Sequence, residues 1–412
     1  MAGSGLPHAV CVELARKAIA DGPSAYEPAA AVERADAFAR SLLGPVINAT
    51  GVLLHTNLGR APIEMVHPPT SMNIELDLAT GERGSRQDAV GELLAMLCGA
   101  QSAMVVNNNA SAVLLVLAAI ARDRQVVVSR GESVEIGGGF RVPDVMEQSG
   151  ARLVDVGTTN RTRLADYRKA LARQKADVAA ILKVHPSNFR IEGFVEATSV
   201  AELATLDVPV IADIGSGLID ANCPWLPGPP PAWLHGEPAA RQTLEAGAAL
   251  VTFSGDKLFG GPQAGIIAGR ADMIGECMRH PLARALRPGA HVMAAVQRTA
   301  LAYLDKTAAT AIPFWAMVAA TTDELRARAD KIVAAAGIGE VEPTEAIPGA
   351  GSAPGATIES VGIRIPGDRL AELRAGTPPV VARTRDGSTL LDLRTVDPGS
   401  DEAVERALQR CA

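Results

Sequence analysis

Lys257 lies in residues 251–265, VTFSGDKLFGGPQAG, where a short apolar run enters a glycine-rich turn. An amine is a nucleophile at neutral pH only when its pKa is lowered, and a tight, partly desolvated turn beside another charge can do that. Such a lysine suits a Schiff base with a carbonyl compound, and pyridoxal phosphate is the obvious acceptor. About forty residues upstream, VPVIADIGSG ends another apolar run at Asp213. That carboxylate is expected to keep the cofactor's ring nitrogen protonated and able to accept electrons. Ser254, three residues before Lys257, is a candidate for the cofactor phosphate. Taken singly, these residues have ordinary readings, a solvated loop lysine or an aspartate capping the next helix. Their order, strand and aspartate followed by strand and SxxK, favours the cofactor.

Other stretches carry unusual polarity for their position. Asn107 to Ser111 join an apolar strand to an apolar helical pattern. Amides and backbone N–H groups of Asn108, Asn109 and Ala110 either cradle a phosphate there or simply cap the helix. In VHPSNF, residues 184–189, His185 or Asn188 could bond the cofactor's phenolic oxygen, or be a satisfied structural residue. Arg60 in HTNLGRA, and Arg284 and Arg287 in HPLARALR, suggest an anion to be bound. Guanidinium offers fixed donors that match phosphate-like oxygens. The spacing predicts that Arg284 and Arg287 share one helical face; ion pairs or a solvated face are the alternative.

The elements that must position these residues read as α/β. Apolar, β-rich runs at 103–106, 125–129, 152–156, 178–184, 208–214, 250–253 and 264–268 are mostly separated by helical or loop segments. That pattern predicts an open, mainly parallel seven-stranded sheet covered on both faces. Ligands bind beyond the carboxyl ends of such strands, where Asp213 and Lys257 fall. Residues 9–20 and 29–43 have helical spacing and form a short N-terminal segment, 1–43. A large domain over 44–290 follows, then a linking helix and a small α+β C-terminal domain over 291–412. The proline-rich stretch 224–232 reads as a surface excursion without chemistry, and PGAGSAPGA, 348–356, as a linker.

Composition narrows the classes. A chain of 412 residues, 48% hydrophobic and 21% charged, can bury a large core and is neither disordered nor fibrous. Five scattered cysteines without a CxxC pair argue for reduced thiols and against a structural zinc site. The longest apolar run is too short to span a bilayer and no secretory leader is evident, so a cytoplasmic protein is expected. A net charge of −7 gives no global attraction for nucleic acid, so any such partner needs a local basic surface. Phosphate-loop, HExxH and GxSxG motifs are absent, which leaves an NTPase, a metalloprotease and an α/β-hydrolase without their minimal parts.

Long collinear stretches carry a resemblance: INATGVLLHTNLGRAP, NNNASAVLL, VVVSRGESVEIGGGFRVPDVMEQSGARLVDVGTTNRT, KVHPSNFRIEGF, IADIGSGL and FSGDKLFGGPQAGII. Together they closely resemble the bacterial selenocysteine synthases, the L-seryl-tRNA(Sec) selenium transferases. The match is dense over 44–287 and looser towards LLDLRTV. It implies an aspartate-aminotransferase-like fold (pyridoxal phosphate fold type I) and a cytoplasmic homo-oligomer, a decamer in bacterial members. Lys257 matches the cofactor lysine and Asp256 an active-site position. Arg60, Arg284 and Arg287 match arginines associated with the selenium donor's anionic group. The implied reaction takes seryl-tRNA(Sec), eliminates the β-hydroxyl as water and adds selenium from selenophosphate.

Two departures accompany the resemblance. Family members usually carry a longer N-terminal domain that helps recognise tRNA, whereas about forty residues without a basic excess precede GPVINATG here. After HTNLGRAP the segment is shorter than usual and contains Pro68-Pro69, through which a helix cannot run. Two rival readings remain, a pyridoxal phosphate lyase acting on a small anionic amino acid or amino sugar, and a non-catalytic binding subunit.

Overall fold

A computed structural model of the chain describes residues 5–20, 28–64, 70–136, 140–174, 177–349 and 351–412. The Pro68-Pro69 departure lies outside the described residues.

Seven strands form one sheet in the order Ser102–Val106, Gly265–Gly269, Leu250–Ser254, Val210–Gly215, Val178–Val184, Gln125–Ser129, Arg152–Val156. They are the seven runs read from the sequence. All neighbours are parallel except Gly265–Gly269, which runs antiparallel to both strands beside it. The sheet is covered on both faces, so its central strands lack polar alternation, and Leu250–Ser254 is buried along its whole length. The antiparallel strand follows directly from the turn at 255–264, which carries Lys257. Gly265 is required here, because a Cβ would lie 2.1 Å from the Asn108 carbonyl oxygen.

Helices Asn109–Ile120, Val142–Ser149 and Ala271–Arg279 share a core on one face, with Leu115, Met146 and Ile274 packed among Met104, Val126 and Ile267. Helices Asp88–Cys98 and Ala290–Leu304 cover the other face over Val105, Val251 and Phe253. The proline-rich stretch is largely exposed, as expected, with one residue turned inward. Trp225 is buried, its ring 4.6 Å from Tyr303 and 5.1 Å from Trp315. An indole that large recovers enough apolar burial to anchor an otherwise irregular segment. The Tyr303 hydroxyl in turn donates to the loop beyond Lys257, 3.2 Å from the Leu258 carbonyl oxygen and 3.0 Å from that of Phe259.

The C-terminal region builds a five-stranded sheet ordered Arg383–Arg385, Ser388–Asp392, Ile358–Pro366, Glu340–Gly349, Val52–Leu54. Helices Thr322–Ala336 and Asp401–Gln409 share its core. The first starts at a capping box, Thr321 with Glu324, and ends at Gly337 in the left-handed region. Val52–Leu54 pairs in parallel with Glu340–Gly349, and Ile47–Asn48 with Val380–Val381. Strand pairing therefore crosses the division between 44–290 and 291–412, because Leu53 and Leu54 find their cover at that edge. Helices His8–Ala20 and Pro28–Ser41 pack on each other, the first burying Cys11, Leu14 and Ala18 at helical spacing.

All five cysteines are buried and none forms a disulfide, and burial pushes the Cys98, Cys223 and Cys277 thiols up to about 12. A thiol reacts as its thiolate, so the native protein should react with Ellman's reagent at pH 8 far more slowly than the denatured chain, which should titrate five thiols. A rapid native burst from Cys98, Cys223 or Cys277 would contradict this.

Candidate active site

Where Leu250–Ser254 ends, the chain turns through Gly255, Asp256 and Lys257, and both charged residues are only 5% exposed. Burial of Lys257 disfavours its ammonium form, and the positive charge of Arg60 adds to that. Asp213, Asp256 and Glu237 oppose it, yet the amine stays below the ordinary lysine range. This is the lowered pKa that a lysine nucleophile or base requires.

Arg60 reaches the same turn from a strap that follows Val52–Leu54. Its Nη1 lies 3.1 Å from Asp256 Oδ2 and 3.4 Å from Oδ1, and the Ala61 N–H donates to the Asp256 carbonyl at 3.1 Å. Arg60 has φ of 64°, a left-handed conformation costing a non-glycine residue roughly 1–2 kcal/mol. Its ion pair and the docked backbone hold it there.

Asp213, near the end of Val210–Gly215, sits in a polar nest. Asn109 Nδ2 donates to Oδ1 at 2.8 Å, the Gly215 N–H at 3.1 Å and Thr252 Oγ1 at 3.3 Å. Burial raises the Asp213 pKa, against these hydrogen bonds and the charge of Lys257. All three donors meet Oδ1, which leaves Oδ2 able to accept from a protonated ring nitrogen. Asn109 Oδ1 and Ser187 Oγ are buried and lack a hydrogen-bond partner among the described residues. Unsatisfied buried groups are costly, and a polar aromatic cofactor would satisfy them. The residues present fit pyridoxal phosphate.

The other expected residues fall as follows. Asn108 is the N-cap of Asn109–Ile120, its side chain accepting from the Ser111 N–H at 2.9 Å. Asn108, Ala110 and Ser111 line a cavity of about 400 Å³ at that helix start, together with Arg141. A 12-residue helix directs its first N–H groups and positive dipole end into this space, a setting suited to a phosphate. Ser254 is buried at its strand end. His185 is partly buried, with Nε2 3.3 Å from Glu237 Oε1. Asn188 is exposed and turned towards the Glu135 carbonyl, 3.5 Å away.

Arg284 and Arg287 do not share a helical face. The helix Leu282–Ala285 is a single turn, and Arg287 lies beyond its C-cap, just before Pro288. Pro288 cannot follow a helical residue easily, so the turn is not extended. Arg284 is exposed, and its side chain has no ion pair among the described residues. Arg287 donates to Glu75 Oε1 at 3.0 Å, an oxygen that also receives Arg86 Nε at 2.9 Å. Arg287 lines a separate cavity of about 420 Å³ with Asn107, Gln263 and Ile63.

Two site residues escaped the sequence reading. Gly351, read as linker, is buried against the lysine; a Cβ there would lie 2.9 Å from both Lys257 Cε and Nζ. The supposed linker is a wall, because Gly349 ends a strand of the C-terminal sheet and Gly351, at φ of 87°, turns the chain inward. Glu237, just after the proline-rich stretch, is buried beside His185. The one available signal was the density of glycines in 349–355, which loop and close approach explain equally well.

The family model described as L-seryl-tRNA selenium transferase matches residues 46–397. An L-seryl-tRNA(Sec) selenium transferase of Moorella thermoacetica is 44% identical over 396 residues, covering 90% of this chain and 82% of its own. That of Methylocella silvestris is 43% identical, with 94% and 87% covered, and that of Solidesulfovibrio magneticus 45%, with 85% and 78% covered. Among solved structures, a D-glucosaminate-6-phosphate ammonia-lyase aligns with a TM-score of 0.59 over 89% of this chain and 95% of its own. At 20% identity that likeness shows the fold alone.

Proposed function

The chain belongs to the L-seryl-tRNA selenium transferase family, and on that premise we propose that Lys257, Asp256, Asp213 and Arg60 form its reaction centre. The protein is a pyridoxal phosphate-dependent transferase of fold type I that converts seryl-tRNA(Sec) to selenocysteinyl-tRNA(Sec). The buried Lys257 amine, held between Arg60–Asp256 and Asp213, is the observation that carries the assignment of residues.

Pyridoxal phosphate, when bound, supplies a carbonyl for the seryl amino group and a ring that takes up the electron pair left at Cα. Lys257 would link the cofactor and, once displaced, remove the Cα proton; its burial and the nearby Arg60 favour the neutral amine this needs. Asp213 Oδ2 would hold the ring N–H, with Asn109 and Thr252 fixing the carboxylate. His185 is the candidate for the phenolic oxygen, and the start of Asn109–Ile120, with Asn108, Ala110 and Ser254 near by in sequence or at strand ends, for the phosphate. Asp256 would orient Arg60 beside the reacting carbon, where the β-hydroxyl leaves as water and selenium takes its place. We assign selenophosphate as donor and Arg60, Arg284 and Arg287 as its anion-binding groups. Arg287 would exchange Glu75 for the donor's oxygens.

Arg60→Ala should raise the KM for selenophosphate about a hundredfold, since it also leaves Asp256 buried without its partner. Steady-state rates at saturating seryl-tRNA(Sec) measure this, and an unchanged KM would remove Arg60 from the donor site.

No helix among the described residues is long and apolar enough to cross a membrane. We place the protein in the cytoplasm as a homo-oligomer, a decamer by family expectation; exposed Leu43, Leu78 and Phe194 support association. The division into leader helices, cofactor domain and C-terminal domain is retained, with 47–54 lending strands to the last. Adding seryl-tRNA(Sec), with ordinary seryl-tRNA as control, to the holoenzyme and following the cofactor absorbance tests the reading. A response specific to the first tRNA is expected; a cofactor that ignores both would favour the small-molecule lyase.

A further inference from the structure

Glu237 lies outside every stretch to which the sequence assigned chemistry, yet its carboxylate is buried, with one oxygen hydrogen-bonded and the other within ion-pair distance of a histidine but without a hydrogen bond among the described residues. Oε1 is 3.3 Å from His185 Nε2, and Oε2 accepts the Ala353 N–H at 3.1 Å. Ala353 is two residues from Gly351, whose backbone packs against Lys257 Cε and Nζ so closely that no side chain fits between. Ser352 and Ala353 are buried with it. One carboxylate therefore lies between the residue that follows a large-sheet strand and a segment extending from the C-terminal sheet that packs on the lysine. Burial would push the Glu237 carboxyl up, but His185, Ser216 and the Ala353 N–H outweigh it and hold the group below the usual carboxylate range. It is thus a charged tether.

We propose that Glu237 is a positioning residue: its carboxylate ties the His185 imidazole to the Gly351–Ala353 segment and so fixes the wall against which the Lys257 amine works. The inference rests on the reaction centre proposed above. Glu237 touches neither reacting atom and acts through His185 and Gly351. A carboxylate beside one imidazole nitrogen limits where the ring can turn, and so orients the other nitrogen for whatever meets it. The negative charge of Glu237 also favours a protonated nitrogen on Lys257, together with Asp213 and Asp256 and against Arg60.

Glu237→Gln in the holoenzyme is the test, because its amide oxygen still accepts from Ala353 while the charge is gone. The pH midpoint of the lysine-linked cofactor chromophore should move down by roughly half a unit. The kcat should fall about tenfold with the KM for seryl-tRNA(Sec) within about twofold. His185→Gln should alter the same chromophore, and the double variant should be no worse than the more affected single one. Glu237→Asp should recover part of the rate. If the Glu237→Gln chromophore and kcat match wild type, or the two changes add independently, the tether is rejected. A chromophore sensitive to His185→Gln and indifferent to Glu237→Gln rejects this inference alone. One indifferent to His185→Gln and Lys257→Ala alike rejects the reaction centre itself.

Discussion

A Lys257→Ala variant will form selenocysteinyl-tRNA(Sec) more than about a thousandfold more slowly than wild type, while remaining folded. Both tasks assigned to the amine are lost together, linking the cofactor and moving the Cα proton, and proton transfer by a positioned base alone is worth ~10²–10⁴-fold. The fold should tolerate the change. Removing an amine whose ammonium form is disfavoured by burial relieves a desolvation cost, and the surrounding Leu258, Phe259 and Phe253 packing does not depend on it. Single-turnover conversion of seryl-tRNA(Sec), with thermal unfolding and absorbance of the reduced, covalently attached cofactor, checks all parts. Retention of a borohydride-fixed cofactor in the variant would place the attachment elsewhere.

Gly351→Ala should cost about a hundredfold in kcat, although residue 351 lies in no recognisable motif. The added methyl would sit 2.9 Å from Lys257 Nζ, so either the amine or the wall must move, and displacements near 1 Å cost about 10²-fold. Backbone strain contributes separately, since φ is 87°. Gly355→Ala separates the two terms. Its φ is 76°, and nothing lies within 4 Å of its Cβ position. Both variants should therefore lose a similar ~1–2 kcal/mol of stability from the left-handed backbone. Only the first should lose turnover. Equal activity loss in both would mean that strain, not contact with the lysine, governs this segment.

The large sheet was legible because its strands are short, mostly apolar, β-rich runs, and two of them led directly to Asp213 and Lys257. Asn109 was legible as a polar residue at a helix start, but its partner was not: Asp213 is 104 residues away, and nothing in NNNAS distinguishes an amide that caps from one that crosses to a neighbouring strand end. The structure divides the work, Asn108 capping and Asn109 crossing. The pairing of Arg287 with Glu75 spans 212 residues and was hidden for the same reason. Gly351 was misread, and Glu237 passed over, because glycine and proline density reports irregular backbone, not where that backbone lies. An irregular segment pinned by a buried carboxylate and one lying on the surface have the same composition.

Val52–Leu54 pairs with the strand Glu340–Gly349, and the strap carrying Arg60 leaves directly from it. Read in the order of synthesis, the arginine emerges early while the edge that seats its strap emerges nearly three hundred residues later. Closing so long a stretch of chain is entropically slow, and contacts of this kind form late. A nascent chain released before that edge exists would have its lysine turn and Asp213 strand in hand, but the strap of Arg60 would be held only at Asp256. On the donor-binding role proposed for Arg60, full affinity for the selenium donor is thus expected only once the C-terminal sheet is made.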